Sequence, residues 1–253
     1  MIAKEVGWVP APGYLLRRDR VLRVLRGLAP GELLEVGCGA GALIHDLDQR
    51  GFRCSALETG DKAREIAAYI NRQNHTSFFA RAGNWQEHFD QILALEVLEH
   101  ISDDVGALKQ WHSWLKPGGR IVISVPAYQR RWGADDVAVG HYRRYERESL
   151  MRMVRESGFS IDHFENWGFP LANIIRPLRI LKYRAKLRRH GQTASASGLF
   201  SAESGVDRGV ELRLFPLQAS CLGIAAMKVS FWLQQLFSRT RFGEGFLLLA
   251  TRK

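Results

Sequence analysis

The sequence predicts an α/β fold in which helices cover both faces of a mostly parallel sheet, with a helical insertion before the last strand. Three observations carry this. Over the first 169 residues short apolar runs alternate with amphipathic ones, the signature of strands and covering helices. A glycine-rich turn, "LEVGCGAG" at 34–41, follows the first of those runs, and residues 171–241 interrupt the rhythm before a final apolar run. The chain therefore divides into a sheet-bearing domain, 1–170 with 242–253, and a basic amphipathic insertion, 171–241.

The elements follow in order. "ELLEVG" (32–37), "FRCSALE" (52–58), "FDQILALEV" (89–97) and "GRIVISVPA" (119–127) read as strands, and "HTSFFAR" (75–81) as a shorter one. Between them, "ALIHDLDQR" is a helix closed by Gly51, "DKAREIAAYINRQ" one opened by a first-turn Asp, and "ISDDVGALKQWHSWLKPGG" one closed by Gly118. "ERESLMRMVRESG" is a further helix, "FSIDHFEN" a further strand, and "GEGFLLLATRK" returns the chain to the sheet.

In the insertion, Leu171, Ile174, Ile175, Leu178, Leu181 and Ala185 form a helical stripe, with seven Lys/Arg largely off it and a kink expected at Pro177. "GQTASASGLFSAESG" has the composition of a loop. Residues 217–237 repeat the helical period and are long enough to span a bilayer at ~1.5 Å per residue. Lys228 at the middle, where a charge costs ~3 kcal/mol, makes this stretch read as amphipathic rather than spanning.

Charge is as uneven as structure. The net charge is +10, yet residues 1–169 hold 22 basic and 22 acidic side chains, whereas residues 170–253 hold 14 and 4. The whole excess lies in the last third and points to a polyanionic surface. Cys38, Cys54 and Cys221 are too widely spaced for a disulfide framework or a zinc site. No metal is expected. The first residues carry acid and proline where an export signal needs an apolar core, so a cytoplasmic protein is expected, peripheral on the inner membrane face if the insertion rests there.

The glycine turn fits two nucleotide classes. Gly37, Gly39 and Ala42 match a dinucleotide fingerprint, and Gly37, Gly39 and Gly41 match the tighter turn of sulfonium-nucleoside binders. Glu35 discriminates. A carboxylate near the carboxyl end of the strand repels a pyrophosphate and attracts an α-ammonium and a sulfonium, which favours S-adenosylmethionine over NAD. Glu58, 21 residues after Gly37, can accept both ribose hydroxyls of either nucleotide.

With "LLEVGCGAG", the acid in "SALETG", "FDQILALEVLEHI" and "LKPGGRIVISVP" in order, residues 30–125 resemble the class I S-adenosylmethionine-dependent methyltransferases. The resemblance implies a Rossmann-like sheet of seven strands, with Gly37 and Gly39 under the methionine part of the cofactor. It places Glu58 at the ribose and Leu95 and Glu96 beside the cofactor. Cys38, between the glycines, and Thr59, after Glu58, complete the expected cofactor-binding set there. The usual acid after the third strand is missing from "ARAGNWQEHFD"; Asn84 is the nearest stand-in, since its carbonyl can accept from an amine. Trp85 is a wall for the adenine or an ordinary core aromatic.

Methyl transfer from a sulfonium needs aim above all, and a hydroxyl acceptor must also lose a proton. His100 in "LEVLEHI" and His141 in "VGHYRRYERESL" are the candidate bases, His100 alternatively tying its loop to backbone. The segment 125–150 gathers Tyr128, Trp132, Asp135, Asp136, His141, Tyr142, Arg143 and Arg144 into an expected acceptor pocket. Its arginines suit an acceptor phosphate or carboxylate, or else pair with Asp135 and Asp136. "GHYRRY" resembles a bacterial subfamily of methyltransferases often associated with lipid-linked sugar or isoprenoid pathways, a match that identifies no substrate; with the family resemblance as a whole, the expected function is O-methylation of a small or lipid-linked metabolite.

Two other functions stay open: a nucleic-acid methyltransferase using the basic tail, and a non-catalytic S-adenosylmethionine-binding partner protein. Against nucleic acid, the fourth strand ends in "LEVLEH" rather than an Asn/Asp-Pro-Pro-aromatic motif, and the basic run offers only Tyr183 for stacking. The insertion itself reads as a lid resting on an anionic membrane, or as a lid or homodimer contact with a solvated basic face.

Overall fold

The run Glu32–Val36 forms β1, and its place in the molecule explains its composition. Leu33 and Leu34 are both fully buried, in core clusters on opposite faces of the sheet. A strand covered on both sides has no solvent face, so apolar residues follow one another without alternation. The computed structural model describes residues 3–190, 206 and 208–253. After β1 come β2 (Arg53–Leu57), β3 (Ser77–Phe79), β4 (Phe89–Leu95), β5 (Leu115–Pro126), β6 (Phe159–Trp167) and β7 (Gly245–Arg252). They form one sheet in the order β3-β2-β1-β4-β5-β7-β6, and β7 alone runs antiparallel to its neighbours. This is the Rossmann-like, mostly parallel sheet expected from the sequence. Because β1 lies between β2 and β4, the chain leaves it in opposite directions, and a crevice opens at the carboxyl ends of β1 and β4.

The helices are α1 (Pro12–Val24), α2 (Ala42–Asp48), α3 (Asp61–Ile70), α4 (Asp104–Trp114), α5 (Ala134–Val139), α6 (Arg147–Glu156), α7 (Leu171–His190), α8 (Gly209–Gln218) and α9 (Cys221–Phe237). α3 shows why such segments fold: Ala63, Ile66, Ala67 and Ile70 recur at helical spacing and are all buried, while Asp61 sits in the first turn, where the helix dipole favours an acid. Ile44, Leu47, Ile92 and Leu93 are fully buried beneath or within the sheet, each contributing about 2 kcal/mol of apolar transfer energy.

Three elements depart from expectation. α4 ends at Trp114 rather than near Gly118, because Pro117 disfavours helical geometry in the residue before it; Leu115 already pairs with Phe89, and the register shifts before Gln91 meets Arg120. α7 runs through Pro177 as one helix. The helix expected over 217–237 begins only at Cys221: Leu217 and Gln218 end α8, which meets α9 at a bend of 98°, and Ser220 caps α9 by accepting from the Gly223 N–H. The sequence "GQTASASGLFSAESG" (191–205), read as a loop, lies outside the described residues.

Candidate functional site

The donor half of the crevice is built by the turn between β1 and α2. Gly37 has φ +67°, and a Cβ there would meet Val97 Cγ2 at 2.5 Å, so the turn can pass under the loop after β4 only as glycine. A Cβ on Gly39 would meet nothing within 4 Å, which leaves that stretch of backbone open on the ligand side. Glu58 ties the turn to the end of β2: Gly39 N–H donates to Oε2 at 2.8 Å and Gly60 N–H to Oε1 at 2.9 Å. Each oxygen keeps a second lone pair for a ligand hydroxyl. Thr59 is exposed beside it, and Cys38 is buried, its thiol pushed well above its ordinary pKa by burial and by Glu35 and Glu58.

Glu35 is buried at the end of β1, and its Oε2 has no hydrogen-bond partner. Burial raises its pKa to about 8; the Arg17 guanidinium opposes the shift, and Glu58 and Asp46 add to it. Leu95 is buried at the end of β4, and Glu96 takes the left-handed region with φ +59°, accepting from Ser124 Oγ at 2.6 Å. A non-glycine residue in that conformation costs of order 1 kcal/mol and is characteristic of functional turns. Trp85 packs edge-on against Phe79, Phe89 and Trp114 at 5.0–5.5 Å as an aromatic of the core margin, while Asn84 lies exposed.

The acceptor half comes from the loop after β4 and the segment following β5. His100 and His141 meet edge-on with ring centroids 4.7 Å apart. Asp136 holds His141 through Nδ1 at 2.8 Å, and also accepts from Arg144 Nε at 2.8 Å and the Gly133 N–H. Burial pushes the Asp136 carboxyl up, but the hydrogen bonds from His141 and Arg144 outweigh it and hold the pKa at about 2. His100 is pushed down to about 4 by burial and by the neighbouring His141, against a hydrogen bond to the Gly140 backbone. Glu99 is fully buried with both carboxylate oxygens unpartnered, its pKa raised by burial and by Glu96. Its Oε1 lies 3.7 Å from His141 Nε2. One ligand atom from each of Glu99, His100 and His141 falls within 4.8 Å of the others, a donor set able to hold a divalent cation.

The arginines of "GHYRRY" are not free to take an acceptor anion. Arg143 pairs with Asp104 at 2.6 Å, and buried Arg144 pairs with Asp136, with Asp135 and Glu244 nearby at 3.8 and 3.5 Å. The alternative of a salt-bridged loop is the one observed. Three site residues escaped sequence reasoning: Glu99, next to His100; Arg17 of α1, 3.9 Å from Glu96; and Tyr14, whose buried hydroxyl is raised above its ordinary pKa by burial, Asp46 and Glu35. No motif marks α1, so no sequence signal places it over the crevice.

A glycine turn with one open face, a buried carboxylate at the end of β1 with an orphaned oxygen and a second carboxylate on the turn fit an adenosyl sulfonium carrying an α-ammonium. The family described as "Methyltransferase domain" matches residues 13–163, more than half of the chain, and the chain belongs to it. Among curated relatives it is 31% identical over 119 residues to the ubiquinone biosynthesis O-methyltransferase of Nitrosospira multiformis, covering 44% of this chain and 47% of that one. The counterpart from Pseudomonas aeruginosa is 29% identical over 105 residues, 39% and 45% of the two chains. The chain thus spans about half the length of the curated relatives it matches. An S-adenosylmethionine-dependent methyltransferase from Mesorhizobium loti shares the fold with TM-score 0.57 at 16% identity, covering 96% and 98% of the chains. The N-methyltransferase NodS from Bradyrhizobium japonicum, solved with S-adenosyl-L-homocysteine, shares it with TM-score 0.55 at 23% identity over 67% and 90%.

Proposed function

We propose that the protein methylates a hydroxyl of a small or lipid-linked metabolite, with His141 as the base that takes the hydroxyl proton. One observation carries this: Asp136, held ionised, fixes His141 through Nδ1 and leaves Nε2 as the acceptor, 3.7 Å from Glu99 Oε1 and beside the His100 ring. S-adenosylmethionine, when bound, supplies a methyl group on a sulfonium whose departure as a neutral thioether is favourable. Glu35, Gly37, Gly39, Glu58, Leu95 and Glu96 would hold it, with Cys38 and Thr59 beside them. His141 Nε2 removes the proton as the acceptor oxygen forms its bond to the methyl carbon, and the imidazolium is stabilised by Asp136. The curated relatives named O-methyltransferases support oxygen as the acceptor atom. Asn84 and Trp85 have less support as adenine contacts, since Trp85 is engaged by three core aromatics.

The test is methyl transfer from labelled S-adenosylmethionine to a panel of hydroxylated metabolites and bacterial lipid extracts, with wild type and His141→Ala. Expected is an O-methylated product and a turnover lower by ~10² in the variant with cofactor binding intact. A variant with full turnover from pH 6 to 8 would remove His141 from the chemistry. The convergence of Glu99, His100 and His141 favours a second reading, in which a divalent cation held there lowers the pKa of the acceptor hydroxyl. Turnover lost on chelation and restored by added Mg²⁺ or Zn²⁺ would favour that reading; indifference to chelators would favour His141 as base.

A further inference from the structure

The three described helices between β6 and β7 face the wrong way for a water-exposed element. α9 buries Met227, Ser230 and Gln234, and exposes Leu222 (82%), Val229, Trp232 (61%) and Leu236. Its inward glutamine is fully used: the Gly168 N–H donates to Oε1 at 3.3 Å, and Nε2 donates to the Leu16 carbonyl at 3.1 Å. α7 repeats the inversion. Arg176 and Arg179 turn inward onto Asp135 and Glu244 at 2.9–3.7 Å, while Ile174, Leu178 (69%) and Leu181 point outward. α8 exposes Val210, Leu214 and Leu217 at the same i, i+4, i+7 spacing and turns Phe215 inward. A run of outward apolar stripes on three successive helices exceeds the scattered surface hydrophobes of ordinary proteins and marks an interaction surface.

We propose that α7, α8 and α9 dock the protein on an anionic lipid leaflet. Charge selects this occupant. Lys182, Arg184, Arg213, Lys228, Arg239 and Arg241 are exposed around the apolar stripes, and Glu211 is the one acid among the described residues from 171 to 241. Apolar side chains with basic neighbours suit insertion into the headgroup boundary of an acidic membrane. A second copy would bring like charges together across the same contact. The bend of 98° between α8 and α9 suits helices that lie at an interface, and among the described residues no single helix is long and apolar enough to cross a membrane. Arg176 and Arg179, two of the seven basic residues of α7, fasten the docking helix to Asp135 and Glu244 of the sheet-bearing domain. The inference does not depend on which acceptor atom is methylated.

The experiment is co-sedimentation of the full chain with vesicles of phosphatidylglycerol and phosphatidylcholine mixed, and of phosphatidylcholine alone, beside sedimentation velocity without vesicles. The variant Leu222→Ser/Trp232→Ser/Leu236→Ser changes only exposed side chains of α9, and cofactor binding by the variant checks its fold. Expected is binding of wild type to the anionic vesicles at least tenfold tighter than to the neutral ones, weakened at least tenfold in the variant and reduced by high salt. Equal binding by the variant, equal binding to both vesicle types, binding to neither, or a dimer in solution that the three substitutions dissolve would overturn the proposal.

Discussion

The two halves of the crevice use buried acids in opposite ways. On the donor side, Glu35 has a buried oxygen without a partner and a pKa raised to about 8; on the acceptor side, Asp136 is just as buried, yet three groups donate to it and its pKa falls to about 2. Burial disfavours both charges alike, so the difference lies in the neighbours. A buried acid whose partners come from the protein serves to position other groups. One left short of partners suits a cation that arrives with a ligand, the role proposed for Glu35. Glu99, fully buried with neither carboxylate oxygen hydrogen-bonded and Oε1 3.7 Å from His141 Nε2, resembles Glu35 in this respect.

The largest expected effect comes from removing a partnered acid. Asp136→Ala strands buried Arg144 and unties His141, and should cost about 3 kcal/mol of stability in denaturant unfolding together with most of the activity. A change within experimental error would show that the ion pairs around Arg144 are interchangeable. The same group gives a pH signature. Its pKa lies below the ordinary 3.8, so its stabilisation is present above about pH 4 and is lost as pH falls toward 2, about 2 kcal/mol in all. Acid unfolding of Asp136→Asn should lack that component.

A smaller effect tests the donor side. Glu58→Ala removes a group that braces Gly39 and Gly60 and can still accept from ribose hydroxyls, and cofactor affinity should fall by about 2 kcal/mol, roughly thirtyfold by calorimetry. An unchanged dissociation constant would move Glu58 out of the site.

How much of this was legible follows the same division. The donor side is a strand, a turn and a helix contiguous in sequence, so Gly37 and Gly39 stood out by spacing, Glu35 by its charge beside them, and Glu58 by its place after the next strand. The acceptor side was half legible: His100 and His141 stood out as titratable groups, but 40 residues separate them, and nothing local announces that their rings touch. The partners of Arg144 include Glu244, 100 residues away at the approach to β7, and α1 reaches the crevice only through tertiary packing. The insertion shows a different limit. Periodicity revealed the stripe on α7 but could not say which side the protein holds, and four buried or half-buried arginines on three acids reversed the usual answer.

The central contrast rests on the protonation of Glu35, and proton release on cofactor binding measures it directly. At pH 7 a carboxyl with a pKa of about 8 is about nine-tenths protonated, and pairing with an incoming cation should expel that proton. Calorimetry of S-adenosylmethionine binding at pH 7, repeated in buffers of different ionisation enthalpy, counts the protons released. Expected is close to one more proton for wild type than for Glu35→Gln, with wild-type affinity gaining on the variant as pH rises toward 8. The same proton count in both proteins would contradict the assignment of Glu35 as the acid held in reserve for the ligand.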